Sequence, residues 1–496
     1  MEVEKTELKR NWILAALMMT MILAAMDNTI VATAIPQIVG DLGGFSLFSW
    51  LFSIYLLVQT ITIPLYGKLA DLLGRKPIII YGIIVFLVGS AACGFAWNMP
   101  SLIAFRGIQA VGAGAIMATV NTIAGDIYTI EERAKIQGWL SSVWGISAIL
   151  GPAIGGFLAD YVSWRWIFFI NIPFGLLSIG LIVKFLKEGK SAKQPKIDWA
   201  GAISMLITAF LIMYTLLESG KSWPWLSYTM LGYLSASVLL IIVTIRIERK
   251  AVEPILPVWV WKKRVTLGSN LATIGMGMIL MGPSMYLPVF AQSVTGVGAI
   301  AAGFILASMS ITWPVSSALS GKLYLRIGFR NTALCGITIV GIGTFSFLFI
   351  QFPGPAWSLV AIQMLMGAGF GLISTPLLVG VQSTVEYAQR GVVTGANIFS
   401  RYFGQSLGAA LFAVVFNYGL NSKMEAAPQE LKTNLPSVNE LVDVMQSKET
   451  GAELQFFLRE TFFDATQFVY AGISIMALVT ILILLWTPAK FPSIKN

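Results

Sequence analysis

Separate apolar runs of membrane-spanning length, divided by charged connectors, constrain this chain more than any other feature. "PIIIYGIIVFLVGSAACGFAW" (Pro77–Trp97) and "MLITAFLIMYTLL" (Met205–Leu217) are typical, and such runs recur from one end of the chain to the other. A bilayer's hydrocarbon core is crossed by roughly 20 apolar residues in an α-helix. Water-soluble chains of this size carry roughly a quarter charged residues; here 11% are charged and 56% hydrophobic, with a mean hydropathy of +0.77. The apolar residues therefore make many separate spans instead of one large core. The spacing predicts an all-α, polytopic membrane protein with fourteen transmembrane helices. The first is expected at 12–37, the thirteenth at 391–420 and the last at 464–487. The first run is too long for a cleaved leader and lacks a small-residue cleavage site, so it reads as a retained span.

Charge sets the orientation. Most of the 33 Lys and Arg fall at the termini or in connectors on the N-terminal side of the membrane. Arg165 and Lys221 stand out in short connectors on the other side. The positive-inside rule then makes both termini cytoplasmic, in a multi-pass cell-membrane protein. The net charge of +9 is thus a topology signal and does not indicate nucleic-acid binding. The long segment at about 421–463 falls outside, and its Ser437/Glu440 and Thr450/Glu453 pairs fit capping boxes of short surface helices.

The chain echoes itself. "GKLADLLGRKP" (Gly67–Pro77) returns as "GKLYLRIGFRN" (Gly321–Asn331), and "FRGIQAVGAG" (Phe105–Gly114) as "IQMLMGAGFG" (Ile362–Gly371). Arg133, Gly138 and Gly151 map at nearly the same spacing onto Arg390, Gly395 and Gly408. Each echo has the same helix direction, which predicts a parallel repeat: a six-helix bundle over 1–190, two inserted helices over 191–263, and a second bundle over 264–496. Transporters built this way hold substrate near the midplane between the halves. Arg106 maps to Gln363 and Asp71 to Leu325, so the N-terminal half keeps the charges and is expected to carry coupling and gating.

Within the spans, Asp27 is the only deeply placed acid. A charge at that depth costs roughly 2.5–3.5 kcal/mol on insertion scales and normally marks a pathway or relay. The chain has no histidine, so a carboxylate must carry any proton. At 1.5 Å per residue Asp27 sits about 22 Å along the first span. That is about 8 Å short of the far surface of a ~30 Å core, and Arg106 sits about 9 Å below the same surface on the fourth span. Facing Asp27, Arg106 favours the ionised acid; moving away, it favours the protonated one. A fixed packing ion pair is the alternative for Arg106.

Other candidates follow from residue type and depth. Gly67, Asp71, Gly74, Arg75, Lys76 and Asp126 gather at the cytoplasmic surface, where the two glycines permit tight helix ends. Arg401 lies about 15 Å along the thirteenth span, where it serves either an anionic or electron-rich substrate group or a structural pairing. Candidate cavity residues are Asn28, Thr33, Gln37, Tyr55, Gln59, Gln363, Asn397 and Gln405. Met276, Met278, Met281 and Met285 offer an adaptable apolar surface. Without histidine, zinc-protease motifs and the usual Ser/His or Cys/His pairs are absent, and no Walker A pattern occurs. The chain is not expected to be an enzyme, and no cofactor or metal is expected.

These motifs resemble a family. "GKLADLLGRKP" is similar to the loop signature of the major facilitator superfamily. "AMDNTIVATAIP" (Ala25–Pro36) resembles a signature of its fourteen-helix drug:proton antiporter branch, the multidrug exporters of the quaternary-ammonium, tetracycline and lincosamide type. "GISAILGPAIGG" (Gly145–Gly156), with Gly145, Gly151, Pro152, Gly155 and Gly156, resembles the antiporter motif of drug exporters. "NIFSRYFGQSLGAA" (Asn397–Ala410) resembles another motif of that branch. The resemblance implies a major facilitator fold of two six-helix bundles plus two inserted helices. It implies a gate in which the Asp71, Arg75 and Asp126 cluster closes the inner side. It also implies a monomeric, proton-coupled antiporter that exports amphiphilic drugs across the cell membrane. Members that export organic dications carry several embedded acids; here Asp126, Asp198, Glu218, Glu386 and Asp464 sit only at span ends, which counts against a dicationic preference. A dedicated exporter of an endogenous lipid, nucleotide-like or anionic metabolite is the alternative. A non-transport receptor or scaffold ranks below both.

Overall fold

The computed structural model describes residues 2–43, 47, 49–188, 198–218, 223, 227–255, 257–352, 354–432, 435 and 451–491. Fourteen helices are long and apolar enough to cross a bilayer, and no strand is present among the described residues. In chain order, spans one to six are Lys9–Thr33, Trp50–Leu73, Arg75–Gly94, Met99–Ile127, Ile130–Ala159 and Trp166–Phe185. Spans seven and eight are Trp199–Leu216 and Tyr228–Lys250. Spans nine to fourteen are Arg264–Ser293, Ala301–Ile327, Phe329–Phe349, Ala356–Ser383, Tyr387–Glu425 and Ala452–Trp486.

Only backbone that satisfies its own hydrogen bonds is cheap in lipid, so the spans are helical whatever their side chains. Their ends are set by local chemistry. Asn98 and Ser101 form a reciprocal capping box ahead of span four, and Thr129 and Glu132 form another ahead of span five. Gly74 and Gly328 turn the chain at matching places in the two halves with φ of 100° and 85°, which residues with a Cβ rarely adopt.

Several helix bounds differ from the expected ones, and three of the differences have a local cause. The first span does not run through to 37: it breaks at Ala34, and Ile35–Leu42 forms a separate helix with a proline in its first turn. Proline cannot donate the hydrogen bond that would continue the ladder. The thirteenth helix runs on to Glu425, and the fourteenth begins at Ala452, well before 464. Charged residues end a hydropathy run without ending a helix, and the Lys423–Asp464 pair at 2.5 Å ties the two extended ends together. Ser437, Glu440 and Thr450 lie outside the described residues.

Two apolar clusters organise the bundles. One gathers Leu17, Ile83, Phe86, Ile116 and Leu140 from spans one, three, four and five. The other gathers Phe290, Ile337, Phe370, Phe412 and Tyr470 from spans nine, eleven, twelve, thirteen and fourteen. Lipid is as apolar as leucine, so close packing rather than water exclusion holds such bundles. Gly82 and Gly112 bring spans three and four together: a Cβ on Gly112 would lie 2.5 Å from the Gly82 carbonyl oxygen. Gly336 and Gly369 repeat the contact between spans eleven and twelve, again at 2.5 Å. The sequence echo is thus a packing echo.

Between the halves, span two packs along span thirteen and span five along span ten. Span seven lies against that first seam, with Ala209 and Met213 on Leu57, Ile61 and Phe403, while span eight is largely exposed.

Candidate functional site

Three features define the site: a buried ionic cluster within the first bundle, a lock between the bundles at the membrane face bearing the N-terminus, and a cavity between them.

Spans one, two and four build the ionic cluster. Arg106 donates through Nη1 to Asp27 Oδ2, and through the same nitrogen to Gln109 Oε1 at 2.9 Å. Gln109 Nε2 donates to Asp27 Oδ1 at 2.8 Å, so both carboxylate oxygens are engaged. The guanidinium lies over the Tyr55 ring, 4.1 Å from its centroid, and Tyr55 donates to the Ala24 carbonyl at 3.4 Å. Asp27 is 2% exposed, and Arg106, Gln109 and Tyr55 are fully buried. Ions this far from water persist only when paired and hydrogen-bonded. Arg106 is held because Gly89 lets span three approach the backbone of span four at Gln109, where a Cβ would meet nitrogen at 2.4 Å.

At the lock, Arg75 binds Asp71 at 2.8 Å and Asp126 at 2.9 Å, while Arg390 of span thirteen reaches Asp126 at 3.1 Å. Asp71 accepts the backbone N–H groups of Gly391 and Val392, both at 2.9 Å. A carboxylate of the first half therefore caps a helix of the second, where orphan donors and the helix dipole favour an anion. Arg75 also stacks over the Tyr387 ring at 3.8 Å and donates to its carbonyl. Glu188 caps span three in the same way, through the N–H groups of Arg75 and Lys76. Lys76 itself points away, to the Val183 carbonyl. Gly67 lets spans two and thirteen touch, since a Cβ there would meet the Gly391 carbonyl oxygen at 2.4 Å. Gly74 leaves room for the Glu188 carboxylate.

Behind this lock lies a cavity of about 520 Å³. Its walls come from both halves: Met21, Ala25 and Thr29 of span one, Gln59, Asn121, Gln137 and Trp144 of spans two, four and five, and Met276, Trp313 and Ser374 of spans nine, ten and twelve. Asn397, Arg401 and Gln405 come in steps of four along span thirteen, so they form one stripe facing it.

The expected residues divide accordingly. Gln59, Asn397, Arg401 and Gln405 line the cavity. Tyr55 belongs to the ionic cluster instead. Thr33 donates to the Ile30 carbonyl and abuts Gly155. Gln37 lies past the helix break, in Ile35–Leu42. Met285 is exposed outside the cavity lining, and Gln363 is fully buried in span twelve, away from it. The side chains of Asn28 and Pro152 lie outside the described residues. In span five, Gly151 and Gly155 admit Thr29 and Thr33 of span one, Gly145 admits Ser310 of span ten, and Gly156 faces open space. Gln109 and Glu188 were not foreseen. Gln109 carries a signal, since it stands three residues from Arg106 on one helix face. Asn121, Gln137, Trp144 and Trp313 also line the cavity, and no motif singles them out. Among the described residues no group of three or more Cys, Asp and Glu side chains could hold a metal ion.

Residues 17–409 match the family model described as Major Facilitator Superfamily. The chain is 34% identical over 417 residues to the "Multidrug transporter protein MdtP" of Bacillus subtilis, covering 84% of this chain and 77% of that protein. It is 35% identical over 423 residues to "Multidrug resistance protein 3" of the same organism, covering 85% and 82%. Its fold is similar to a crystal structure of the human organic anion transporter TETRAN, with a TM-score of 0.64 at 14% identity, covering 96% and 99% of the two chains.

Proposed function

The chain belongs to the Major Facilitator Superfamily, a family of multi-pass membrane transporters, and we propose that it exports amphiphilic small molecules across the cell membrane in exchange for protons. The observation that carries this reading is the Asp27 carboxylate: fully engaged by Arg106 and Gln109, it stands between Ala25 and Thr29, which face the cavity. The names of the Bacillus relatives support the substrate class.

The coupling works through span one. Substrate pressing on Ala25, Thr29 and Trp144 shifts span one against span four. A carboxylate drawn away from its arginine in a low dielectric is most cheaply neutralised by a proton. Proton uptake and substrate movement then become alternative ways of satisfying one cluster. The two halves, with 1–190 and 264–496 moving around the inserted 191–263, rock between access states. The Asp71, Arg75, Asp126 and Arg390 lock holds the N-terminal, cytoplasmic face shut. Gln59, Asn397, Arg401 and Gln405 contact substrate, and the working unit is a monomer.

Purified protein in liposomes under an imposed pH gradient tests the reading. Export of an amphiphilic dye should collapse when the gradient is dissipated, and Asp27→Asn should reduce it to background while the protein stays monodisperse. Gradient-driven export by Asp27→Asn at the wild-type rate overturns it.

A further inference from the structure

We propose that the central cavity selects amphiphiles bearing a negative charge, with Arg401 as the residue that binds that charge. The inference deepens the export reading and rests on it. Among the described residues lining the cavity, Arg401 is the one charged side chain; no Asp or Glu is among them. Three arginines buried more deeply than the half-buried Arg401 each meet a carboxylate. Arg106 has Asp27, Arg75 has Asp71 and Asp126, and Arg390 has Asp126. Arg133 donates to the Tyr128 and Gly125 carbonyls. Arg401 has no carboxylate within ion-pair distance among the described residues, and its guanidinium lies 5.3 Å from the centroid of the Tyr402 ring.

The backbone that carries it is closely packed. A Cβ on Gly277 of span nine would lie 2.2 Å from the Arg401 carbonyl oxygen, so spans nine and thirteen meet backbone to backbone at this residue. The fork of a guanidinium suits a carboxylate, sulfonate or phosphate, and such charge-assisted pairs are strong where water is scarce. Trp144, Trp313 and Met276 supply apolar walls for the rest of such a molecule, and Gln59 and Gln405 supply further polar contacts. A cationic amphiphile would instead meet a like charge that has Tyr402 beside it but no carboxylate among the described residues. Asp27 offers it no relief, because both carboxylate oxygens are already bound within the first bundle.

The charge balance gives a second signature. One monoanion leaving against one proton entering moves two positive charges inward per cycle. Membrane potential therefore drives the exchange along with the pH gradient, whereas a monocation exchanged for one proton moves no net charge.

The test uses the full-length protein in liposomes and three dyes with a common aromatic body, one carboxylated, one neutral and one carrying a quaternary ammonium group. The carboxylated dye should bind tightest, and a valinomycin–potassium potential, negative inside, should accelerate its export. Arg401→Gln should weaken its binding about tenfold to a hundredfold, the usual size of a lost hydrogen bond to a charged group. The neutral dye should lose less affinity than the carboxylated one, and an elution profile and thermal unfolding like those of the wild type show that the variant is folded. Arg401→Lys should restore part of the affinity. Asp27→Asn should still bind the carboxylated dye. Coupled export that survives Asp27→Asn beside an anion preference that follows Arg401 would sink the coupling reading and support this one. Tighter binding of the ammonium dye, or a carboxylated dye indifferent to Arg401→Gln, overturns it.

Discussion

The two halves use one backbone plan for different chemistry. At equivalent turns, Gly74 and Gly328 adopt the same positive φ. After the first comes Arg75, paired with Asp71 and Asp126; after the second comes Phe329, packed in a tilted arrangement between Tyr324 and Phe491 with ring centroids 4.8 and 5.5 Å away. Asp71 is buried at the seam, while its counterpart Leu325 is 53% exposed. Arg106 sits in a satisfied ionic cluster, and its counterpart Gln363 is fully buried with neither amide atom hydrogen-bonded among the described residues. Where the halves agree, as in the Gly82–Gly112 and Gly336–Gly369 contacts, they agree on packing. The comparison teaches that packing is common to both copies, while the buried carboxylates Asp27, Asp71 and Asp126 with their arginine partners belong to the first.

The strongest test sets Asp27→Asn against Gln363→Leu. The first leaves Arg106 buried and unpaired, at a cost of about 3–5 kcal/mol, and should abolish gradient-driven export; an Asp27→Asn/Arg106→Gln double variant should recover stability without recovering export. The second removes an unsatisfied amide, whose burial costs about 1–3 kcal/mol. It should keep export and raise the melting temperature. Equal losses of export in the two variants would break the comparison.

Next, Asp71→Asn removes a charged cap spanning the seam. An effect of about 1.5–3 kcal/mol should raise the population open at the N-terminal face about tenfold to a hundredfold, read by labelling of a cysteine placed near Gly391. Phe329→Ala should lower the melting temperature without changing that labelling. A matched pair sharpens the comparison where the halves agree: Gly112→Val and Gly369→Val should destabilise alike, by about 1–3 kcal/mol each, in thermal unfolding. The smallest effect is expected on the opposite face, at the exposed Arg165–Asp41 pair at 3.2 Å. Arg165→Ala should cost less than about 1 kcal/mol and leave export intact.

The amino-acid sequence alone determined the number of spans, and it set the expected repeat and the expected depth of each charge. All three follow from length and spacing, because the rise per residue is fixed and lipid demands a helix. Asp27 and Arg106 could therefore be matched by depth before any contact was known. Depth leaves the direction around each helix open, and inside a bundle hydropathy gives little help, since lipid and protein interior are alike to it. Only the tertiary structure turned Tyr55 and Gln109 onto the ionic cluster, left Gln363 outside the cavity, and aligned Asn397, Arg401 and Gln405 along it. It also decided that Asp71 caps a helix of the other half. That contact joins residues more than half the chain apart, and its donors are backbone groups, which every sequence has and none advertises.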